Sequence, residues 1–280
     1  MGLRREARDT LAQHGLRPQR RFGQNFLCDA GVVRRIVARA GVGADSVVLE
    51  IGPGLGALTD TLAAEAARLY LVEVDRGLAA RLAERHADNP RVVLVEGDVL
   101  ELPLHELVAE SNVTVVANLP YNISTPILFR LLDLRARFPR AVLMLQREVA
   151  QRLASRPGSK DWGVLSVLVQ TWADVAVAFG VSRRSFVPQP KVDSAVVDVR
   201  WREAPRDDVG DPERYRALVR AAFGQRRKTL RNALGALATA RGFDAPALAR
   251  AFADAGVDPG RRAETLALPE LARLARALGG

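Results

Sequence analysis

The chain has 280 residues, 48% hydrophobic and 26% charged, the composition of an ordinary globular protein with room for one large domain and a smaller one. Its net charge of +9, from 41 Lys and Arg against 32 Asp and Glu, favours a polyanionic partner over an acidic small molecule. A single cysteine (Cys28) excludes an intramolecular disulfide, three scattered histidines offer no zinc spacing, and no apolar run reaches bilayer length or forms a secretory signal, so the expectation is a cytoplasmic protein with no metal and no membrane partner.

In chain order, an arginine cluster at Arg17, Arg20 and Arg21 comes first. Short apolar runs at 47–51, 69–74, 92–96, 113–118, 141–145, 175–181 and 195–200 then predict seven strands. Helical spacing at 58–65, 77–85 and 125–134 falls between them. The alternation predicts an α/β fold with a doubly wound, mostly parallel sheet, in which ligands sit at the carboxyl ends of the strands. Residues 204–210 read as a linker between a first domain, 1–203, with its basic N-terminal extension, and a small all-helical domain, 211–280. The last part carries 14 basic and 10 acidic residues from Glu203 onward and no obvious chemistry, which suits docking.

Chemistry concentrates at the strand ends. After the first strand, Glu50-Ile51-Gly52-Pro53-Gly54-Leu55-Gly56 forms a glycine turn that lets backbone N–H groups approach a ligand beside a helix start. Alone it is compatible with a nicotinamide enzyme as well as a methyl-donor enzyme, as is the acidic Glu73 about 20 residues further on. Asp98 after the third strand is placed to accept from an adenine amine. Each acidic residue by itself reads as a solvated strand end; their joint spacing with the glycine turn points to a nucleoside site.

Asn118-Leu119-Pro120-Tyr121, directly after an apolar strand, separates the two enzyme readings, since a dehydrogenase has no use for it. The exocyclic amine of adenine is a poor nucleophile because its lone pair is delocalised. An Asn118 side-chain carbonyl and a Leu119 main-chain carbonyl accepting its two N–H bonds would localise that pair, with Tyr121 stacked on the ring. Such a base must first leave its stack, which is easiest in a single-stranded or loop RNA. Phe186, in Phe186-Val187-Pro188-Gln189-Pro190-Lys191, is a candidate for the opposite face of the base, or equally a core plug beside the last strand. Arg20 and Arg21, Arg183, Arg184 and Lys191, and Arg226, Arg227 and Lys228 are the candidate RNA contacts, though any one cluster also reads as a solvated face.

The segments Arg21-Phe22-Gly23-Gln24-Asn25-Phe26-Leu27, Glu50 to Gly56, Glu73, Gly97-Asp98, Asn118 to Asn122, Phe186 to Ser194 and Phe223 to Leu230 together resemble the KsgA/RsmA family of small-subunit (16S) ribosomal RNA adenine dimethyltransferases, along essentially the whole chain. The resemblance implies a Rossmann-like class I methyltransferase using S-adenosyl-L-methionine and releasing S-adenosyl-L-homocysteine. It also implies that Asn25, Leu27, Gly52, Glu73, Asp98 and Asn118 line the cofactor site. Two adjacent adenosines in the 3′-terminal hairpin loop would each receive two methyl groups within an immature 30S particle, the enzyme acting as a monomer. A large-subunit dimethylase of the macrolide-resistance type, a DNA adenine methyltransferase, and chiefly an RNA-binding assembly factor that gates subunit maturation with methyl transfer secondary are the competing readings.

Overall fold

The computed structural model of the chain describes residues 3–13, 23–225 and 227–279. Nine strands occur in it: β1 Phe26–Leu27, β2 Val47–Ile51, β3 Arg68–Glu73, β4 Val92–Glu96, β5 Thr114–Asn118, β6 Arg140–Gln146, β7 Ala173–Val181, β8 Phe186–Val187 and β9 Ser194–Trp201. Seven of them form one sheet in the order β4-β3-β2-β5-β6-β9-β7. Strands β2 to β6 run parallel, and β9 is antiparallel to β6. The seven apolar runs read from the sequence correspond to these seven strands within a residue or two at each end. The two-residue ribbon β1-β8 is not legible in the sequence, because so short a pair has no periodicity of its own.

The strand order places the site. The chain winds outward from β2 through β3 to β4, then crosses back to β5 on the other side of β2, with Ile51 beside Ala117. At such a reversal the loops after β2 and β5 diverge and leave a crevice beyond the strand ends. The sheet stays rigid there because β2 and β5 are buried on both faces: Val48, Leu49, Val115 and Val116 are fully covered. Helix Ala30–Ala40 packs Val33, Ile36 and Val37 over Val116, Val142 and Val196. Its start is fixed by Asp29, whose carboxylate accepts from the Gly31 and Val32 N–H groups, and its end by Gly41 in the left-handed region at φ 64°. Helix Ser124–Asp133 buries Ile127, Leu128, Leu131 and Leu132, the i, i+1, i+4, i+5 face expected of it.

Two compact units result. The first comprises residues up to Ala150 together with Asp174–Trp201; the second comprises Gln151–Ala173 with Arg202 onward. The second unit therefore differs from the contiguous 211–280 domain read from the linker. Helix Val164–Trp172 is apolar on nearly every side and belongs to that unit. The Thr171 and Tyr215 hydroxyls lie 3.0 Å apart, the Trp172 and Tyr215 rings meet edge-on at 5.7 Å, and Trp162 Nε1 donates to the Leu266 carbonyl at 3.0 Å. A linker signal marks where the chain is polar and says nothing of which buried helix packs with which. Among the described residues no helix is long and apolar enough to cross a membrane.

Candidate active site

Beyond the ends of β2, β3, β4 and β5 lies a cleft of about 910 Å³, part of it open to solvent, lined among others by Gly52, Glu73, Asp98 and Asn118. Its floor is the glycine turn. Gly54 adopts φ +59°, and a Cβ there would sit 3.1 Å from the Phe26 ring, so both the conformation and the close approach require glycine. Glu73, 4% exposed, spans two turns: one carboxylate oxygen accepts from Gly54 N–H and the other from Asp75 N–H, each at 2.9 Å. Burial pushes its pKa up against those bonds. Glu50, 1% exposed, accepts from Thr59 Oγ1 at 2.8 Å; burial, reinforced by the charges of Asp60 and Glu73, raises its pKa to about 8. Asp98 uses Oδ1 to accept from Leu100 N–H at 2.8 Å, an Asx turn that holds its carboxylate at the cleft.

The amide of Asn118 stands at the opposite wall. Its Nδ2 donates to the Asn25 main-chain carbonyl at 3.1 Å. The group facing that carbonyl must be the NH2, because two acceptors repel, and the side-chain oxygen is thereby left for another donor. Leu119 N–H is taken by Met144 O at 3.2 Å, and no described hydrogen bond ends on the Leu119 carbonyl. Pro120 O accepts from Ile123 N–H and Ser124 Oγ, which closes the turn into the following helix. The Tyr121 hydroxyl lies 2.8 Å from Ser194 Oγ, and Ser194 is fully buried, so the ring is tied to the first residue of β9. Burial pushes the Tyr121 pKa up, keeping a neutral ring at ordinary pH.

A strap, residues 23–27, runs past both walls and lines the cleft with Gln24, Asn25 and Leu27. It enters the β1-β8 ribbon, in which Phe26 pairs with Val187 and Leu27 with Phe186. Phe186 is set differently from the base-flanking reading: it is 1% exposed, packed in the core with Ile36 and Val196, and absent from the cleft wall. The core-plug alternative describes it in this conformation, because pairing with Leu27 turns its side chain inward. Gln24, Asp75 and Ser194 carry no local sequence signal of a role at the cleft. Asp75 reads simply as the cap of the next helix, and the partners of Gln24 and Ser194 are 51 and 73 residues away.

Of the basic residues, Arg183 and Arg184 lie exposed on a short 3-10 turn, Arg183–Ser185, with Lys191 exposed nearby. The Arg183 guanidinium donates to Lys191 O at 3.1 Å, and Asp193, between Arg147 and the Arg183 N–H, offsets part of the charge. Arg227 and Lys228 are exposed in the turn after helix Pro212–Gly224. Arg17, Arg20, Arg21 and Arg226 lie outside the described residues.

A parallel sheet reversing beside β2, with a glycine turn, acidic strand ends and Asn-Leu-Pro-Tyr around one cleft, defines a Rossmann-like class I methyltransferase. Residues 15–271 match the ribosomal RNA adenine dimethylase family, and the chain belongs to that family. It is 49% identical over 260 residues, covering 93% of this chain and 96% of the relative, to ribosomal RNA small subunit methyltransferase A of Syntrophotalea carbinolica. Among solved structures it resembles a dimethyladenosine transferase from Plasmodium falciparum, with a TM-score of 0.72 at 25% identity over 89% of this chain and 95% of that one. It also resembles the 23S rRNA methyltransferase ErmE, with a TM-score of 0.67 at 29% identity over 91% of this chain and all of that one.

Proposed function

We propose that the protein transfers methyl groups to N6 of two adjacent adenosines in the 3′-terminal hairpin loop of small-subunit ribosomal RNA, giving N6,N6-dimethyladenosine in an immature 30S particle, and that it acts in the cytoplasm as a monomer. Membership of the ribosomal RNA adenine dimethylase family supports the reaction class. The higher identity to small-subunit relatives than to ErmE favours the small-subunit RNA over the large. The single observation that carries the reading is the Asn118 amide, held by the Asn25 carbonyl with its oxygen left to accept.

The residues fit S-adenosylmethionine as donor. Glu50 and Glu73 are buried carboxylates whose ionisation burial disfavours, so a ligand bearing positive charge is electrostatically welcome beside them. The cofactor, when bound, supplies an electrophilic methyl on a sulfonium sulfur. Asn25, Leu27 and Gly52 would contact it through the strap and the glycine turn, Glu73 through ribose hydroxyls, and Asp98 through the adenine amine. Asn118 Oδ1 and Leu119 O accept the two N6–H bonds of the target base and draw its lone pair out of the ring, while Tyr121 stacks on the base and Pro120 stiffens the turn. As the nitrogen gains a methyl it loses a proton to solvent; no general base is needed because a methylated adeninium is strongly acidic.

The test is mass analysis of both small- and large-subunit RNA from ribosomal particles lacking the modification, incubated with the protein and isotopically labelled donor. Dimethyladenosine confined to the 3′-terminal hairpin supports the reading. Label in large-subunit RNA alone, or none in the presence of folded protein, refutes it. An Asn118→Ala variant should fold normally and lose about 100-fold or more of the transfer rate.

A further inference from the structure

The strap is anchored at three consecutive residues. Gln24 Nε2 donates to Asp75 Oδ2 at 2.9 Å. Asn25 offers its carbonyl to Asn118, and Phe26 lays its ring against Gly54. Asp75 is a firm post: it is 6% exposed, and its other oxygen accepts from the Gly77 and Leu78 N–H groups as the cap of helix Arg76–Arg85. Gln24 therefore ties the strap to a helix that flanks the sheet, one residue before the carbonyl that holds the Asn118 amide.

We propose that Gln24 is a positioning residue for base recognition: its bond to Asp75 pins the strap so that the Asn25 carbonyl selects the orientation of the Asn118 amide. The terminal torsion of asparagine is broad and roughly two-fold, so a carboxamide without a fixed partner samples the orientation presenting NH2 to the cleft nearly as often as the one presenting oxygen. An NH2 facing the amine of adenine pairs donor with donor and repels it. Fixing the acceptor behind Asn118 removes the wrong orientation before a base arrives. Because the same strap lines the donor cleft, seating it prepares both halves of the site together. The proposal rests on the methyl-transfer reading above.

Two measurements on the full-length protein test it. In donor-free protein, the Asn118 side-chain NH2 protons should be shifted and protected from exchange by the Asn25 carbonyl, and Gln24→Glu, which sets a carboxylate against Asp75, should move those resonances and lower their protection. With saturating donor and unmodified small subunits, Gln24→Glu should lower kcat about tenfold or more at little change in melting temperature. Combining it with Asp75→Asn restores a donor and an acceptor with reversed polarity, and should return kcat to within about threefold of the starting protein. Unchanged Asn118 resonances in Gln24→Glu, a rise in donor KM with kcat intact, or no recovery in a folded double variant overturns the proposal. If the unaltered protein makes no dimethyladenosine while the resonances respond as expected, the reaction assignment fails and the positioning contact stands.

Discussion

Glu50 carries its charge badly. It is buried at the head of the glycine turn with one hydroxyl donor, and its pKa rises to about 8 from the 4.5 of a free glutamate, at ~1.4 kcal/mol per unit. The folded state therefore holds a proton that the unfolded chain has released, so stability contributed by this group is complete below pH ~4.5 and drains away as pH climbs to about 8. Glu73, shifted in the same direction, adds to the slope. Glu50→Gln keeps an acceptor for Thr59 without a charge. In ligand-free protein it should raise the melting temperature by several degrees at pH 8.5 and by much less at pH 5, as calorimetry would read; parallel curves for variant and parent would refute the buried-charge account. Tyr121 and Ser194 make a second residue-scale case. Tyr121→Phe and Ser194→Ala each break one 2.8 Å contact and should each slow transfer by about three- to tenfold, with the double variant no slower than the worse single. Additive losses in steady-state kinetics would show that the two hydroxyls act apart.

At the scale of elements, the site depends on a ribbon of two residues per strand. Phe26 lies against the glycine turn, Leu27 faces Phe186, and Cys28 N–H continues the pairing to Ser185 O at 2.7 Å. Gly54→Ala introduces a Cβ 3.1 Å from the Phe26 ring at a φ of +59°, so the strap must lift or the turn must deform. The expected result is a destabilisation of about 1 kcal/mol or more together with at least tenfold weaker binding of S-adenosylhomocysteine, measured by calorimetry on one preparation. Phe186→Ala tests the burial of that ring. Truncating it in a packed core should cost about 3–5 kcal/mol in denaturant melts, whereas a ring serving only to flank the base would leave stability unchanged and affect transfer alone.

For the whole molecule, a surplus of nine positive charges makes RNA binding a question of salt. Replacing Arg183, Arg184 and Lys191 together by glutamine should flatten the log-log dependence of RNA affinity on salt by about two, near the ~0.7–0.9 expected per lost phosphate contact. An unchanged slope would make that cluster a solvated face, and the same experiment on Arg227 and Lys228 ranks the two units as RNA anchors. The discontinuous second unit has its own consequence. Ending the chain at residue 203 removes Tyr215, against which Trp172 and Thr171 pack, and strands an apolar helix of nine residues. Such a truncation should express as aggregate, although a cut at the polar linker looks harmless.

Much of the site could be read in one dimension because its chemistry sits at strand ends. An apolar run followed by Gly52, Glu73, Asp98 or Asn118 marks both a strand and the residue facing its open end, and the period-two and 3.6-residue patterns are local properties of the chain. Long-range geometry alone decided the rest: that Phe186 turns inward, that 151–173 packs with the C-terminal helices, and that Asn118 is held by a carbonyl 93 positions earlier. Burial and hydrogen-bond partners are set by which segments meet when the sheet closes, and local sequence carries no record of a partner so far away.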